Sequence, residues 1–448
     1  QVLSLTWKDF IQPEFHWNNN DYGNITALFS IFYAVSMLFA GKFVDFMDTK
    51  KGFLWAIGIW SIGACLHAYC GIAASGILTG NWFVGFHESK EIIKTVDNVA
   101  LVGSTSVMLF IFARFVLAVG EAGNFPAAIK TTAEYFPKKD RALATSIFNA
   151  GAAVGALSAP LIIPRIAERW GWEMSFIIIG VLGFVWMGFW VFIYKKPEQN
   201  RKMSVSELEY IQQDHGLEEE ANKDKKVSFA QCFKYRQTWA FAFGKFMTDG
   251  VWWLYMFWTP AYLSSVYGIK SNDGEGQAAI FVLYMITLLS IIGGWLPSYF
   301  INKKGMDPYA GRMKAMLIFA FFPLLALIAQ PLGSYSFWLP VIIIGIAGAG
   351  HQAWSANIMS TVGDMFPKKA IATITGIGGM AGGVGSLIIN KGSGVLFDFA
   401  GTTQMEFMGF KGEEAGYFII FSICSIVYLI GWVVMKSLVP VYKPVTDL

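Results

Sequence analysis

The sequence predicts an all-α integral membrane protein made of two pseudo-symmetric bundles of six helices, the first helix being incomplete. Composition, recurring apolar stretches and an internal repeat support this prediction. Of the 448 residues, 55% are hydrophobic and only 15% are charged, whereas soluble domains carry about 25% charged residues. So little charge in so apolar a chain is typical of a protein that crosses a membrane several times.

Apolar stretches of the length that a membrane-spanning helix needs, about 20 residues, recur along the chain. Lysines and arginines concentrate in alternate connecting loops, and the positive-inside rule places those loops on the cytoplasmic side. We predict eleven spans, at 24 to 43, 52 to 74, 101 to 134, 142 to 163, 174 to 194, 239 to 264, 277 to 300, 313 to 332, 337 to 364, 370 to 390 and 416 to 438.

An internal repeat indicates that the bundle is duplicated. The run Y135-F-P-K-K-D-R-A-L-A-T-S-I-F-N-A-G-A-A-V-G155 aligns with M365-F-P-K-K-A-I-A-T-I-T-G-I-G-G-M-A-G-G-V-G385 without a gap, and the FPKK runs are identical. We therefore divide the chain into a first half at 1 to 194, a polar cytoplasmic linker at 195 to 238 and a second half at 239 to 448.

The sequence separation between matching positions of the two halves is larger in the earlier part of each half than in the later part. Gly41 and Gly294 follow the second helix of their halves, and their separation exceeds that of the later repeat. The first half is therefore expected to carry an extra segment, placed at 75 to 100. The same register leaves residues 239 to 253 without a counterpart, so we expect the leading part of the first helix to be absent.

Composition also excludes several kinds of partner. The net charge of +3 and the lack of a basic stripe with interleaved aromatics argue against nucleic acid. The cysteines are scattered, without C-x-x-C spacing, so disulfides, metal sites and cofactors are not expected. We expect a monomer surrounded by lipid. The cysteines are Cys65, Cys70, Cys232 and Cys424.

Several motifs resemble the major facilitator superfamily. They are G41-K-F-V-D45 after the second helix and the run RFVLAVGEAGNFP at residues 114 to 126. Three further runs are similar to bacterial hexuronate (glucuronate/galacturonate) transporters of the anion:cation symporter family. Those runs are F148-N-A-G-A-A-V-G-A156, K245-F-M-T-D-G-V-W-W-L-Y-M-F-W-T-P-A-Y-L263 and H351-Q-A-W-S-A-N-I358.

This resemblance implies a proton-coupled transporter that imports a small anionic sugar, a hexuronate, by alternating access across a bacterial inner membrane. A carrier of an aldonate, of sialic acid or of another organic anion, and a uniporter, are alternatives. An integral-membrane enzyme using Glu121 and His351 is an alternative from another class, but the chain lacks a nucleophile motif and a nucleotide loop. Family members carry Asn-Tyr-x-Asp-Arg late in the first helix, and the present chain has no assignable counterpart.

Glu121 lies inside an apolar stretch, where an ionised carboxylate is costly unless it faces a cavity or a partner, or is protonated. Asn124, Phe125 and Ala128 share its helical face. We hypothesise that Glu121 carries the coupled proton and that Asn124 contacts substrate, with a structural ion pair as the alternative for Glu121. Arg114 lies about 10.5 Å along the same face and is assigned a bracing or gating role.

The second half contributes the remaining charged candidates. Lys245 and Asp249 are four residues apart on one helical face and can form a salt bridge. Alternatively, Lys245 binds the substrate carboxylate and Asp249 acts in gating. The nearby rings of Trp252, Trp253 and Tyr255 are candidates for stacking on a sugar, or for packing in the core or the lipid belt.

The run that contains His351 places polar and aromatic groups on one arc. His351, Trp354 and Asn357 follow at steps of three residues, so they share about 120° of a helix surface. Such an arc suits recognition of a polyol; core packing for Trp354 and a helix-to-helix hydrogen bond for Asn357 are the alternatives. In the repeat, His351 matches Glu121, so we predict that the two face each other across the pseudo-twofold axis.

Three further residues complete the candidates. Tyr33 lies in the middle of a span, where its hydroxyl needs a partner, and the family resemblance implies a binding role. Asn149 is a substrate candidate because the second repeat has Gly379 at its position. Asp45 belongs to the loop motif to which the superfamily resemblance assigns gating. The glycines of G376-I-G-G-M-A-G-G-V-G385 are interpreted as sites of close helix approach, not as a phosphate loop.

Overall fold

A computed structural model describes residues 1–136, 138–200, 203–213 and 228–445. Almost all of these residues are helical. The first half begins with short helices, among them a π-helix at Trp7–Ile11, and continues with long ones. Its α-helices are α1 (Val2–Thr6), α2 (Gln12–Phe15), α3 (Asn19–Met47), α4 (Thr49–Ala68), α5 (Cys70–Thr79), α6 (Phe86–Lys94), α7 (Val99–Tyr135), α8 (Lys138–Trp170) and α9 (Trp172–Ile193).

The described part of the linker carries two short helices, and the second half consists mainly of long helices joined by short turns. A small antiparallel hairpin interrupts it, in which β1 (Glu406–Phe407) pairs with β2 (Phe410–Lys411). The helices are α10 (Val205–Gln212), α11 (Phe229–Cys232), α12 (Arg236–Tyr267), α13 (Gly274–Thr287), α14 (Ile292–Lys304), α15 (Pro308–Leu324), α16 (Ala326–Gly333), α17 (Trp338–Met365), α18 (Lys368–Thr403) and α19 (Glu413–Leu438).

The predicted apolar stretches all lie on helices. Within the described part of the chain, eight helices are long and apolar enough to cross a membrane, or nine if α4 and α5 form one bent span. The bend of 54° between α4 and α5 was not predicted. It falls at Tyr69, whose N–H donates to the carbonyl of Leu66, three residues back, so the turn is tighter than α-helical.

Local sequence signals explain where several helices begin. Asn18 caps α3 in a capping box with Asp21, each side chain accepting from the other's backbone N–H. Ser204 caps the short linker helix α10 by accepting from the N–H of Glu207. These caps satisfy backbone donors that the first turn of a helix leaves free.

The glycine-rich stretch of α18 lies between α3 of the first half and α12 of the second. A Cβ atom on Gly383 would collide with Ala34 of α3, and one on Gly385 would collide with the backbone of Phe246 in α12. Only glycine permits this approach of backbones from two sides. The close-approach interpretation is therefore confirmed for Gly383 and Gly385, whereas a Cβ on Gly379 would meet open space.

The extra segment at 75 to 100 forms the end of α5, a loop and the helix α6. It lies at the end of the bundle where α3 begins, called the outer end below because it is opposite the lysine-rich loops. Lys90 of α6 approaches Glu14 at 3.4 Å and Glu173 at 2.9 Å, and the Trp172 indole donates to Glu14 at 2.8 Å. These contacts hold α6 against α2 and α9.

Candidate functional site

A cavity of about 1080 Å³ opens among the helices of the first half. Its polar wall comes from α3 and α7, and its apolar wall comes mainly from α4 and α9. Every described residue that lines it belongs to the first half. They are Tyr33, Phe53, Ile57, Trp60, Glu121, Asn124, Phe125, Ala128, Thr131, Thr132, Phe136, Ala144, Ile179, Leu182, Gly183 and Trp186.

Glu121 lines this cavity together with Asn124, Phe125 and Ala128. These are the residues that helical spacing places on one face of α7, so the sequence identified the cavity face of this helix. The face carries a carboxylate and an amide beside aromatic carbon. It can hold a proton on Glu121 and can exchange hydrogen bonds with a hydroxylated solute through Asn124.

Tyr33 stands where the cavity meets the second half. Its side chain lines the cavity, and its ring lies 6.4 Å from that of Trp253, at an interplanar angle of 66°. Trp253 also meets Phe29 edge-on at 6.3 Å. The structure thus brings two of the predicted binding residues together, one from each half, in an aromatic contact beside the cavity.

Arg114 is buried inside the bundle and does not extend to the surface. Only 6% of the residue is exposed, and its guanidinium lies over the Phe29 ring at 4.9 Å. Its Nε has no hydrogen-bond partner among the described residues. A buried donor without a partner is costly, so this Nε is a potential donor to an anion that reaches it. Arg114 is not among the residues that line the cavity.

Lys245 and Asp249 form the salt bridge that the sequence offered as one of two interpretations. Lys245 Nζ lies 2.7 Å from Asp249 Oδ2, and both residues are on α12. The carboxylate fits against Gly382 of α18, which leaves no room for a side chain there. This buried ion pair belongs to the second half and does not line the cavity.

His351 lies in a polar cluster next to that ion pair. Its Nδ1 is 2.7 Å from the Tyr428 hydroxyl, which also contacts the carbonyl of Thr248 at 3.4 Å. Trp252 stacks on the imidazole with ring centroids 5.5 Å apart. Glu121 and His351 therefore have different surroundings in this structure, and the cavity beside Glu121 is not lined by His351.

Three other candidates are packed in the interior. Asn357 donates to the carbonyls of Gly293 and Ala353, both at 2.8 Å. The bond to Gly293 is the helix-to-helix hydrogen bond that was the alternative to a binding role. Trp354 is fully buried and meets the Tyr428 ring edge-on at 5.5 Å, and Tyr255 is buried in the same core. None of the three lines the cavity beside Glu121.

The side chains of Asn149 and Asp45 lie outside the described residues, so their predicted roles stay predictions. The described acidic residue at the turn after α3 is Asp48, which pairs with Lys196 at 3.0 Å. This contact joins the turn between α3 and α4 to the start of the linker.

Tyr428 is the functional-site candidate that the sequence analysis missed. It lies in the apolar run I426-V-Y-L-I430 of α19, and its hydroxyl needs a partner there. The argument used for Tyr33 applies to it equally and would have identified it. Its partner, His351, is 77 residues away in sequence, so the sequence alone could not identify this contact.

The family model of the Major Facilitator Superfamily matches residues 1–390. A hexuronate transporter of Escherichia coli strain K12 is 27% identical over 399 residues, which cover 88% of this chain and 83% of that protein. A galacturonate transporter of Dickeya chrysanthemi is 27% identical over 290 residues, covering 65% of this chain and 74% of that protein.

A solved structure shares the fold. The crystal structure of a D-xylose–proton symporter superposes with a TM-score of 0.65 over 99% of this chain and 93% of that chain, at 13% sequence identity. The helical architecture described above is thus that of a known transporter fold.

Proposed function

The chain belongs to the Major Facilitator Superfamily, and we propose that it transports a sugar acid of the hexuronate class together with protons. The observation that carries this proposal is a carboxylate, Glu121, that faces a cavity beside Asn124 and Tyr33. The likeness to hexuronate and galacturonate transporters supports the choice of substrate. Alternating access between the two halves is the mechanism that fits this fold.

Glu121 is the proposed proton carrier. Because an ionised carboxylate is costly within a membrane, Glu121 favours the protonated form when the cavity is closed from water. Loading the proton from one side and releasing it on the other would couple the proton gradient to reorientation. The adjacent cavity supplies the path along which the proton enters and leaves.

The cavity surfaces match the chemistry of a hexuronate. Asn124 and Tyr33 offer donors and acceptors to hydroxyl groups, and the aromatic wall, which includes Trp60 and Trp186, offers faces for the apolar C–H surface of a sugar ring. Arg114 is the cation we assign to the substrate carboxylate. It lies two helical turns from Glu121 on the same face of α7, and its Nε is unpartnered among the described residues.

We further propose that the protein acts as a monomer in the inner membrane of a bacterium, with the 195–238 linker in the cytoplasm. The excess of lysine and arginine in the loops on that side supports this orientation.

The experiment is uptake of labelled glucuronate by proteoliposomes with an imposed proton gradient. Glu121→Gln should abolish accumulation against a gradient while substrate exchange at equal concentrations continues, because glutamine cannot exchange a proton. Glu168→Gln, which changes an exposed glutamate on α8, is the matched control and should behave like the parent protein. Accumulation by Glu121→Gln at the parent level would refute proton carriage by Glu121.

Counterflow with unlabelled competitors identifies the substrate. Galacturonate and glucuronate should compete for uptake and galactonate should not, because the aromatic wall offers a face to a sugar ring, which the open-chain galactonate lacks. Competition by galactonate alone would replace the hexuronate proposal with an aldonate carrier.

A further inference from the structure

At the outer end of the bundle, each half is held to the other by an aspartate. Asp398 of α18 reaches the start of α3, and Asp9 of the first half reaches the turn between α12 and α13. The partners in these contacts are hundreds of residues apart in sequence. Each aspartate accepts hydrogen bonds from backbone N–H groups of the opposite half.

Asp398 occupies the N-terminus of α3. Its two carboxylate oxygens accept from the N–H groups of Asn19 at 2.9 Å and Asn20 at 2.6 Å. These N–H groups belong to the first turn, which has no intrahelical acceptors, and the helix dipole favours negative charge there. Separating α18 from α3 leaves both donors and the carboxylate to be satisfied by water.

Neighbouring side chains reinforce this contact from the second half. The amide of Asn19 donates to Glu413 at 3.1 Å, and Lys391 donates to the side-chain oxygens of Asn20 and Asn24. Asp21, on the same first turn of α3, also faces Asp398 and Lys391. Among the described residues, Lys391 is thus a cation close to Asp21, and the N–H groups at the start of α3 add positive charge next to Asp398.

Asp9 makes the corresponding contact in the other direction. Its Oδ1 accepts from the Ser264 hydroxyl at 2.8 Å, and its Oδ2 accepts from the N–H of Ser271 at 2.8 Å and from its hydroxyl at 2.7 Å. The carbonyl of Leu5, 2.9 Å from the same hydroxyl, competes with Asp9 for its single hydrogen. The turn between α12 and α13 is thereby fixed to the first residues of the first half.

We propose that Asp9 and Asp398 form a paired latch that keeps the outer entrance closed, and that both contacts open when the protein faces outward. Rocking of one half against the other must break contacts that join the halves at the opening end. The latch comprises the two aspartates and their partners Asn19, Asn20, Ser264 and Ser271. The inference relies on the alternating-access function proposed above, but not on the identity of the substrate.

A reporter for opening lies deeper between the same two helices. The hydroxyls of Ser30 in α3 and Ser386 in α18 are 2.8 Å apart, and both residues are buried. A cysteine at Ser386 reacts with a membrane-impermeant maleimide added outside only when the outer side opens. Labelling of the parent protein, which retains its native cysteines, is subtracted.

The test measures this labelling rate without substrate, in right-side-out vesicles. In the Ser386→Cys background, Asp398→Ala or Asp9→Ala should raise the rate on the order of tenfold, because each removes charge-assisted hydrogen bonds. Glu275→Ala, which removes an exposed charge near Ser271, should leave it unchanged. Rates equal to that control in both aspartate variants would overturn the latch.

A cross-link tests the same contact by holding it closed instead of removing it. The double variant Asp9→Cys with Ser271→Cys should form a disulfide under mild oxidant, and substrate counterflow should stop and return on reduction. A pair that fails to cross-link, or a cross-linked protein that transports at the parent rate, would contradict the proposal. Loss of counterflow in Glu121→Gln would concern the proposed substrate site and not the latch, because the labelling assay that tests the latch contains no substrate.

Discussion

Replacing Lys245 by methionine tests whether the buried ion pair on α12 is structural. The side chains of Lys245 and Asp249 are only 11% and 17% exposed, and their charged atoms are 2.7 Å apart. Methionine keeps much of the length of the lysine side chain and removes the charge. Asp249 then remains in the interior without its cation, against the backbone of Gly382.

The expected loss follows from this burial. Removing one partner of a buried pair costs about 3 to 5 kcal/mol, since it leaves an uncompensated charge. Because both side chains keep some exposure, we expect the lower value, about 3 kcal/mol, which is on the order of a hundredfold in the folding equilibrium. Adding Asp249→Asn should restore most of the stability, to within about 1 kcal/mol of the parent protein.

The assay is denaturant unfolding of the purified protein in detergent, with counterflow measured on the same samples. The matched control is Lys411→Met. It breaks the pair with Glu406, whose side chains are 61% and 72% exposed, and it should cost less than about 1 kcal/mol. A loss as small as that control in Lys245→Met would refute the buried-pair reasoning. If the double variant is stable but lacks counterflow, Lys245 contacts the substrate as well.

Three further outcomes are expected. Gly383→Val should reduce transport strongly, because its Cβ would collide with Ala34, although the protein should still insert into the membrane. Transport at the parent rate, measured in proteoliposomes, would contradict close packing of α3 and α18. Asn357→Leu should lower the unfolding free energy by about 1 to 3 kcal/mol, because it leaves the carbonyl of Gly293 unpaired. The KM for substrate should not change. A raised KM in counterflow would show that Asn357 belongs to the binding site. Partial burial raises the pKa of Asp48, but hydrogen bonds from Lys196 and Thr49 outweigh it and hold the pKa below its ordinary value of 3.8. Its contribution to stability is therefore present above pH 3.8 and lost as pH falls through the lowered pKa. The difference in thermal stability between the parent and Asp48→Asn should shrink over that range, and a difference that grows on acidification would refute the assignment.

The sequence alone determined the fold class and the face of α7. Runs of about 20 apolar residues can be accommodated only as helices in a membrane, because every backbone group must then bond within its own segment. The spacing of Glu121, Asn124 and Phe125 places them on one side of a helix whatever surrounds it. The hydroxyl of Tyr33 in the middle of a span likewise indicated an interior position.

Only the tertiary structure decided which groups those faces meet. It placed the cavity within the first half, gave Asn357 backbone partners on α14 and α17, and set Tyr428 against His351. It also joined Asp9 and Asp398 to backbone groups in the opposite half. Helical spacing fixes the relative directions of side chains on one helix, but packing against neighbours fixes the rotation and depth of that helix. Contacts between residues hundreds of positions apart follow from the packing, so the local sequence carries no signal for them.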